Sequence, residues 1–416
     1  MGVIGNRAFD LLAKISYERL GGSTEELNAL NILKKELDTL KIANEIEEFE
    51  VDHYSIKKAE CIVTEPNLEI YNVTGYGMSG NIDIEKEFVY LENPKYAKLL
   101  DLEDKIVLVT GGMPYTLYED LVKAKVAAFI TTSGSIYDDV NTTDLEQRQL
   151  RSRHYNNGKI PGVTMRISDA EKLILSNPKK IKIIIEQEEG KRTSHNLVAT
   201  IPGTVNPEEI ICFTAHYDSV KFSTGAYDNG TGSVTIMEVL RYYHENKPNR
   251  TLKFIWCGSE EMGLLGSHDY VNKHESELDK YKLCINVDMT GVPLGRDIAV
   301  STAEMSLVQF IDYFAKIKGF IIDSSQGVYS SDSTPFANKN VPAVSFARIS
   351  SRGGAEIHSR KDVLDLIKPE YLEKTIIFIQ DFSQELINSK YFPIPKTMPQ
   401  NMKDDLDKYL GVKKNG

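Results

Sequence analysis

Two adjacent carboxylates, Glu260 and Glu261, follow the apolar run 252–257 and precede Met262-Gly263-Leu264-Leu265-Gly266. Such a pair has a chemical use if one carboxylate holds a metal while the other moves a proton. Taken alone it reads equally well as first-turn acids at the positive end of a helix dipole. Three other strand-like runs and one helix-opening segment decide between these readings. The run 210–215 ends at His216-Tyr217-Asp218. Ten residues beyond Asp218 stands Asp228, inside Gly225-Ala226-Tyr227-Asp228-Asn229-Gly230-Thr231-Gly232, which opens a helix. The run 283–287 ends in Asp288, and Glu356-Ile357-His358-Ser359 follows the run 343–347. Imidazole nitrogens and carboxylate oxygens are the ligands of zinc, provided that one position stays open for water. Two metals roughly 3.5–4 Å apart that share a carboxylate need about five such side chains. His216, Asp228, Glu261, Asp288 and His358 supply them and leave Glu260 free as a base. Asp218, two residues past His216, is placed to accept the imidazole's other N–H and fix its tautomer. Each residue alone is a weak signal: Asp228-Asn229-Gly230 is by default a turn and N-cap. Their joint placement carries the inference.

The elements that must position these groups are legible as an α/β alternation. From about residue 193, short apolar runs at 197–201, 210–215, 252–257, 283–287 and 343–347 suit strands buried on both faces. Helical patterns at 233–244, 264–272, 305–317 and 370–387 separate them. The expected fold is α/β, a mostly parallel mixed sheet with helices on both faces, whose functional residues collect beyond the carboxyl ends of the strands. Residues 1 to about 45 read as helical, with a capping box from Ser23 and Glu26. Between about 52 and 190 the texture changes to strand-like pieces at 105–110, 127–131 and 180–186, with a polar excursion over 133–160 that suits a flap. The expected domains are 1–51 with 191–390, an inserted β-rich block at 52–190, and a tail at 391–416 that ends in a short helix near 402–410.

Composition narrows the function classes. The 416 residues are 41% hydrophobic and 26% charged, enough for two domains. A net charge of -11 disfavours nucleic acid and gives no basic face for anionic lipid. No apolar run approaches the ~20 residues of a membrane span. The start lacks an apolar signal core and, with Asn6, fails the myristoylation pattern, so a cytoplasmic location is expected. None of the four cysteines forms Cys-x-x-Cys, and buried free thiols are expected. Metal binding must therefore rest on carboxylates and histidines.

Ala215-His216-Tyr217-Asp218, the segments 225–232 and 258–267, and Asn286-Val287-Asp288-Met289 resemble the successive signatures of the di-zinc exopeptidases. That family includes the bacterial leucyl aminopeptidases and the glutamate carboxypeptidase II group. Ser331-Asp332-Ser333-Thr334-Pro335-Phe336, Val341-Pro342-Ala343-Val344 and His358-Ser359-Arg360-Lys361-Asp362 are similar to its later signatures. The resemblance covers the N-terminal helices and about 193–388. It implies the zinc exopeptidase (phosphorylase/hydrolase-like) fold. The 52–190 block resembles, less specifically, the protease-associated (PA) domain that some members insert. By resemblance, Asp228 bridges two zinc ions, His216 and Asp288 complete one site, and Glu261 and His358 complete the other. Glu260 is the general base for attack by a metal-bridging hydroxide. Two departures stand out: Ser333 where many members have His, and Ile357 where some aminopeptidases have an oxyanion-stabilising Tyr.

The expected activity is that of an aminopeptidase acting on short peptides, with no nucleic-acid or membrane partner and an open oligomeric state. A carboxypeptidase reading needs a cationic pocket, for which Arg348, Arg352 and Arg360 are candidates. A single-zinc glutaminyl cyclase and a metal-free binding protein on the same scaffold are the remaining alternatives; neither explains a complete ligand set. Tyr329 and Phe336 are candidates for a substrate pocket or for packing.

Overall fold

Successive residues of the C-terminal apolar runs point to opposite faces of one sheet, which is why the runs are continuous rather than alternating. In the computed structural model, which describes residues 2–98, 100–141, 143–156 and 158–412, the chain forms two units, 1–51 with 193–416 and 52–192. The chain passes between them within two long strands, Asn44–Glu65 and Lys180–Ile201.

The first unit is built from β1 (Lys180–Ile201, whose last residues belong here), β2 (Asn206–His216), β3 (Arg250–Cys257), β4 (Tyr281–Val287), β5 (Gly295–Thr302), β6 (Asp323–Gln326) and β7 (Ala343–Ser350). Among the described residues the spatial order is β6-β5-β7-β4-β2-β3-β1. β3, β2, β4 and β7 run parallel. β1 is antiparallel to β3, and β5 is antiparallel to β7. The sheet is therefore mixed with a parallel centre, as the alternation predicts. β5 and β6 were missed because their residues, including Asp297 and Ser324, do not form an apolar run.

One face packs on α1 (Val3–Ile15), α2 (Thr24–Thr39), α3 (Thr231–Glu245), α5 (Met305–Lys318) and α7 (Pro369–Ile387), through Leu12, Leu33, Phe213, Phe254, Leu307 and Phe382. The other face packs on α4 (Leu265–Lys273), α6 (Ser333–Asn338) and α8 (Gln400–Leu410), through Cys212, Ile255, Tyr270, Phe336 and Met402. Phe213 and its neighbour Cys212 illustrate the alternation. The tail departs from a plain linker: Ile394, Met398, Met402 and Leu406 are buried. All four cysteines are buried free thiols.

Register then fixes the site. In the parallel centre Cys257 pairs with His216, Asn286 with Thr214 and Val287 with Phe346. The C-terminal ends of β2, β3 and β4 consequently lie level, while β7 runs on from Phe346 to Ser350, and the residues that follow these strands emerge along one edge.

The second unit has its own cores. Strand Ile82–Tyr90 leads through Ile106–Leu108, Ala128–Ser133 and Gly162–Arg166 to Val73–Gly75, with a parallel run from the first to the fourth. Tyr118, Phe129 and Leu121 form one cluster; Ile106, Ile130 and Ile183 form another. The polar excursion is anchored at its far end, where Leu150 is buried and Gly77 exchanges main-chain hydrogen bonds with Arg148 and Leu150. Positions 142 and 157 of that excursion lie outside the described residues. Across the described residues, no helix is long and apolar enough to cross a membrane.

Candidate metal centre

His216 ends β2, and its Nε2 lies 3.1 Å from Asp228 Oδ1, 3.8 Å from Asp288 Oδ1 and 3.8 Å from Glu260 Oε2. His358, half exposed on the loop after β7, places its Nε2 3.2 Å from Asp228 Oδ2 and 3.1 Å from Glu261 Oε2. Three groups bring their donor atoms within 4.8 Å of one another: His216–Asp228–Asp288, Asp228–Glu261–His358 and His216–Glu260–Glu261. Asp228 offers one oxygen to each of the first two. All seven residues singled out in the sequence gather at this edge of the sheet.

The chain frees these side chains for a ligand by giving the local backbone other partners. Asn229, next to Asp228, accepts the N–H groups of Gly232 (2.8 Å) and Met289 (3.1 Å) and donates to the Val287 carbonyl (2.9 Å). Asn229 thus ties the start of α3 to the end of β4, and Asp228 is spared from capping. The backbone of Asp228 is held instead by Asp362, which accepts the N–H groups of Tyr227 (2.7 Å) and Asp228 (3.1 Å). Asp218 has a fuller role than the expected one. One of its oxygens lies 3.4 Å from His216 Nδ1, while the two together accept the N–H groups of Glu260 (3.0 Å) and Glu261 (3.2 Å). The pair of acids is therefore hung from a buried carboxylate.

The electrostatics are those of a cation site. Burial, then repulsion from Glu261, Asp332 and Asp288, pushes the Glu260 carboxyl well above its ordinary range, against the pull of His216. Asp288 is pushed up to about 8, by burial first and then by Asp228 and Asp332, again against His216. Burial opposes the charging of His216, but Glu260, Asp218, Asp228 and Asp288 outweigh it and raise its pKa. Buried Glu261 Oε1 and Asp288 Oδ1 have no hydrogen-bond partner. Buried oxygens of this kind are costly unless something positive meets them. A borderline-soft divalent ion that takes imidazole and carboxylate fits the donor set, and two such ions fit its division around Asp228.

Several contributors escaped the sequence reading. Arg19, fully buried, donates to the carbonyls of Tyr217 (2.6 Å), Thr224 (2.6 Å) and Gly225 (3.0 Å), and so clamps the loop between Asp218 and Asp228. Glu26, read as half of a capping box, instead buries its carboxylate beneath Ser259. Only the Ser23 half of the box is present, with Ser23 Oγ accepting the Glu26 N–H at 3.1 Å. Phe336 is a core residue against Tyr270 and Tyr281, and lines no pocket. Ser333 closes a buried ring of hydroxyls with Ser331 (3.0 Å) and Ser345 (2.9 Å).

Two potential ligand groups that share one carboxylate, at the carboxyl edge of a parallel-centred α/β sheet, are what a two-metal hydrolase requires. Residues 196–382 match peptidase family M28. Carboxypeptidase Q of Mus musculus is 27% identical over 318 residues, which are 71% of this chain and 67% of that protein. An aminopeptidase from Aneurinibacillus shares the fold, with a TM-score of 0.75 at 23% identity over 94% of this chain and 96% of that one. So does a zinc aminopeptidase from Bacillus subtilis, with a TM-score of 0.74 at 21% identity over 93% and 95%. Residues 196–382 thus carry a domain of the peptidase family M28 type. The chain is a zinc peptidase, and peptides are its substrates.

Proposed function

We propose that this peptidase is an aminopeptidase, removing N-terminal residues from short peptides with Glu260 as general base. The observation that carries the choice is the engagement of Arg348. The cation best placed in sequence to receive a terminal carboxylate, Arg348, is spent on structure. It is buried and donates to Asp297 (2.7 Å), the Val292 carbonyl (2.6 Å) and the Pro293 carbonyl (2.9 Å).

His216, Asp228 and Asp288 would hold one zinc; Asp228, Glu261 and His358 would hold the other. When bound, the pair supplies Lewis acidity and lowers the pKa of water toward ~7. Glu260 takes the proton of the attacking water and passes it to the leaving amine. Its carboxylate is free for this because Asp218 holds its backbone, and because Glu261, one residue on, carries the ligand role. Ile357 offers no hydroxyl at the position where some relatives place a Tyr, so the donor of an oxyanion hydrogen bond must come from elsewhere. The protein with Glu260→Gln should keep two zinc ions and lose roughly 10²–10⁴-fold in kcat. Near-wild-type turnover by that zinc-loaded variant would remove Glu260 from the role.

The likeness to carboxypeptidase Q keeps a second reading in view, cleavage at the carboxyl end, for which exposed Arg352 remains a candidate receptor. Aminoacyl and carboxyl-terminal chromogenic substrates, each with and without a chelator, separate the two.

A further inference from the structure

The turn that delivers Glu260 and Glu261 is closed from below by a buried carboxylate outside the segment matched to the family. Glu26 is fully buried near the start of α2. Its Oε1 accepts the Ser259 N–H at 2.9 Å, and its Oε2 accepts the Gly22 N–H at 2.8 Å. Ser194 Oγ lies 2.9 Å from both oxygens, and Ser259 Oγ lies 3.3 Å from Oε1. Ser259 has φ +52°, in the left-handed region that costs a residue with a side chain about 1 kcal/mol or more. Space around the carboxylate is fully used. A Cβ on Gly21 would meet Ser259 Oγ at 2.4 Å and Met262 Sδ at 2.7 Å; one on Gly258 would meet Ser194 Oγ at 2.7 Å and Glu26 Oε1 at 2.9 Å. Three segments, 21–26, 194–195 and 258–262, therefore close on one ionisable group.

We propose that Glu26 is a positioning residue for the reaction: it holds Ser259 in its left-handed conformation and so aims Glu261 at its metal and Glu260 at the attacking water. The roles of Glu260 and Glu261 are those of the proposed function, on which this inference rests. A carboxyl group is required because a main-chain donor faces each of its oxygens. An amide satisfies one and turns an N–H against the other. Glu26→Gln keeps the volume and must release either Ser259 or Gly22, and Glu26→Ala releases both.

The test measures three things on the full-length protein: zinc affinity by competition with a chromogenic chelator, kcat and KM per zinc-loaded site, and the unfolding midpoint. With Glu26→Gln, the chelator should strip zinc roughly tenfold more readily. Turnover per loaded site should fall roughly 10–100-fold, with KM within about twofold of wild type. Glu26→Ala should shift both in the same direction and further; where it does not fold, Glu26→Gln decides alone. A lower midpoint with wild-type turnover per loaded site and wild-type zinc affinity would reduce Glu26 to a scaffold residue and overturn the proposal. The chelator competition needs only Glu261 as a ligand. Full activity of Glu260→Gln would therefore defeat the general-base reading without deciding the Glu26–zinc linkage.

Discussion

Arg19 offers a direct measure of how far the N-terminal segment supports the metal loops. Its guanidinium is fully buried and donates to five main-chain carbonyls: Tyr217 (2.6 Å), Thr224 (2.6 Å), Gly225 (3.0 Å), Tyr17 (2.8 Å) and Ile15. Burial lowers its pKa to about 10, with Asp218 pulling the other way, so it remains charged at neutral pH. Arg19→Met keeps much of the apolar stem and removes every donor. Gly225 and Ile15 keep main-chain donors in Gly230 (2.9 Å) and Tyr17 (3.1 Å). At about 1–3 kcal/mol for each of the other three carbonyls, the gross loss is roughly 3–9 kcal/mol. Relief from burying a charge returns several kcal/mol of that. The net expectation is a loss of roughly 2–4 kcal/mol, the range of a broken buried hydrogen-bond network.

The assay is favoured by composition. Trp256 is the single tryptophan and is fully buried in β3, donating to the Ser233 carbonyl at 3.0 Å. Its fluorescence therefore reports unfolding of the peptidase unit. At 2–4 °C per kcal/mol, the midpoint should fall by roughly 10 °C, and zinc should be stripped more readily because the loop from Asp218 to Asp228 is loosened. Arg19→Lys, with three donors in place of five, should fall between the two proteins. A loss under about 1 kcal/mol with unchanged zinc affinity would refute the clamp, because it would mean that water replaces the guanidinium at little cost.

Asp228→Asn should reduce bound zinc from two toward none, since both ligand groups use that side chain, whereas His358→Ala should lose one; two zinc ions retained in Asp228→Asn would break the shared-ligand assignment. His154 in the second unit is buried, and burial first, then Arg153 and Arg151, lowers its pKa to about 4. The unfolded chain takes up that proton below about 6.5 while the folded chain resists it down to about 4, so stability should fall as pH drops through that window and level off below it. Urea midpoints by circular dichroism at pH 7 and pH 5 should show a smaller difference in His154→Gln than in wild type, and equal differences would exclude the histidine as the source.

What the sequence disclosed and what it hid have separate physical causes. Strands buried on both faces announce themselves as unbroken apolar runs, and a parallel sheet presents its strand ends along one edge. Locating the runs at 210–215, 252–257, 283–287 and 343–347 therefore also located His216, Glu260, Glu261, Asp288 and His358. Local pattern failed where a residue acts across a long loop of chain. Arg19 and Glu26 reach partners some two hundred residues away, and Arg19 lies on no period and in no motif. Glu26 even carried a misleading local signal, because a Glu three residues after Ser23 is what a capping box requires. The structure gives that carboxylate to Ser259, where its acceptor oxygens are worth more than at an exposed helix start, since a buried N–H has no water to fall back on. The same logic separates the two carboxylates of the opening pair. Glu261 lies 3.1 Å from His358, whereas Glu260 Oε2 stands 3.8 Å from His216. A helix dipole would be served by either acid alone. Asp218 holding the backbone of both and Glu26 holding the residue before them are arrangements that make sense only if the direction of each side chain matters.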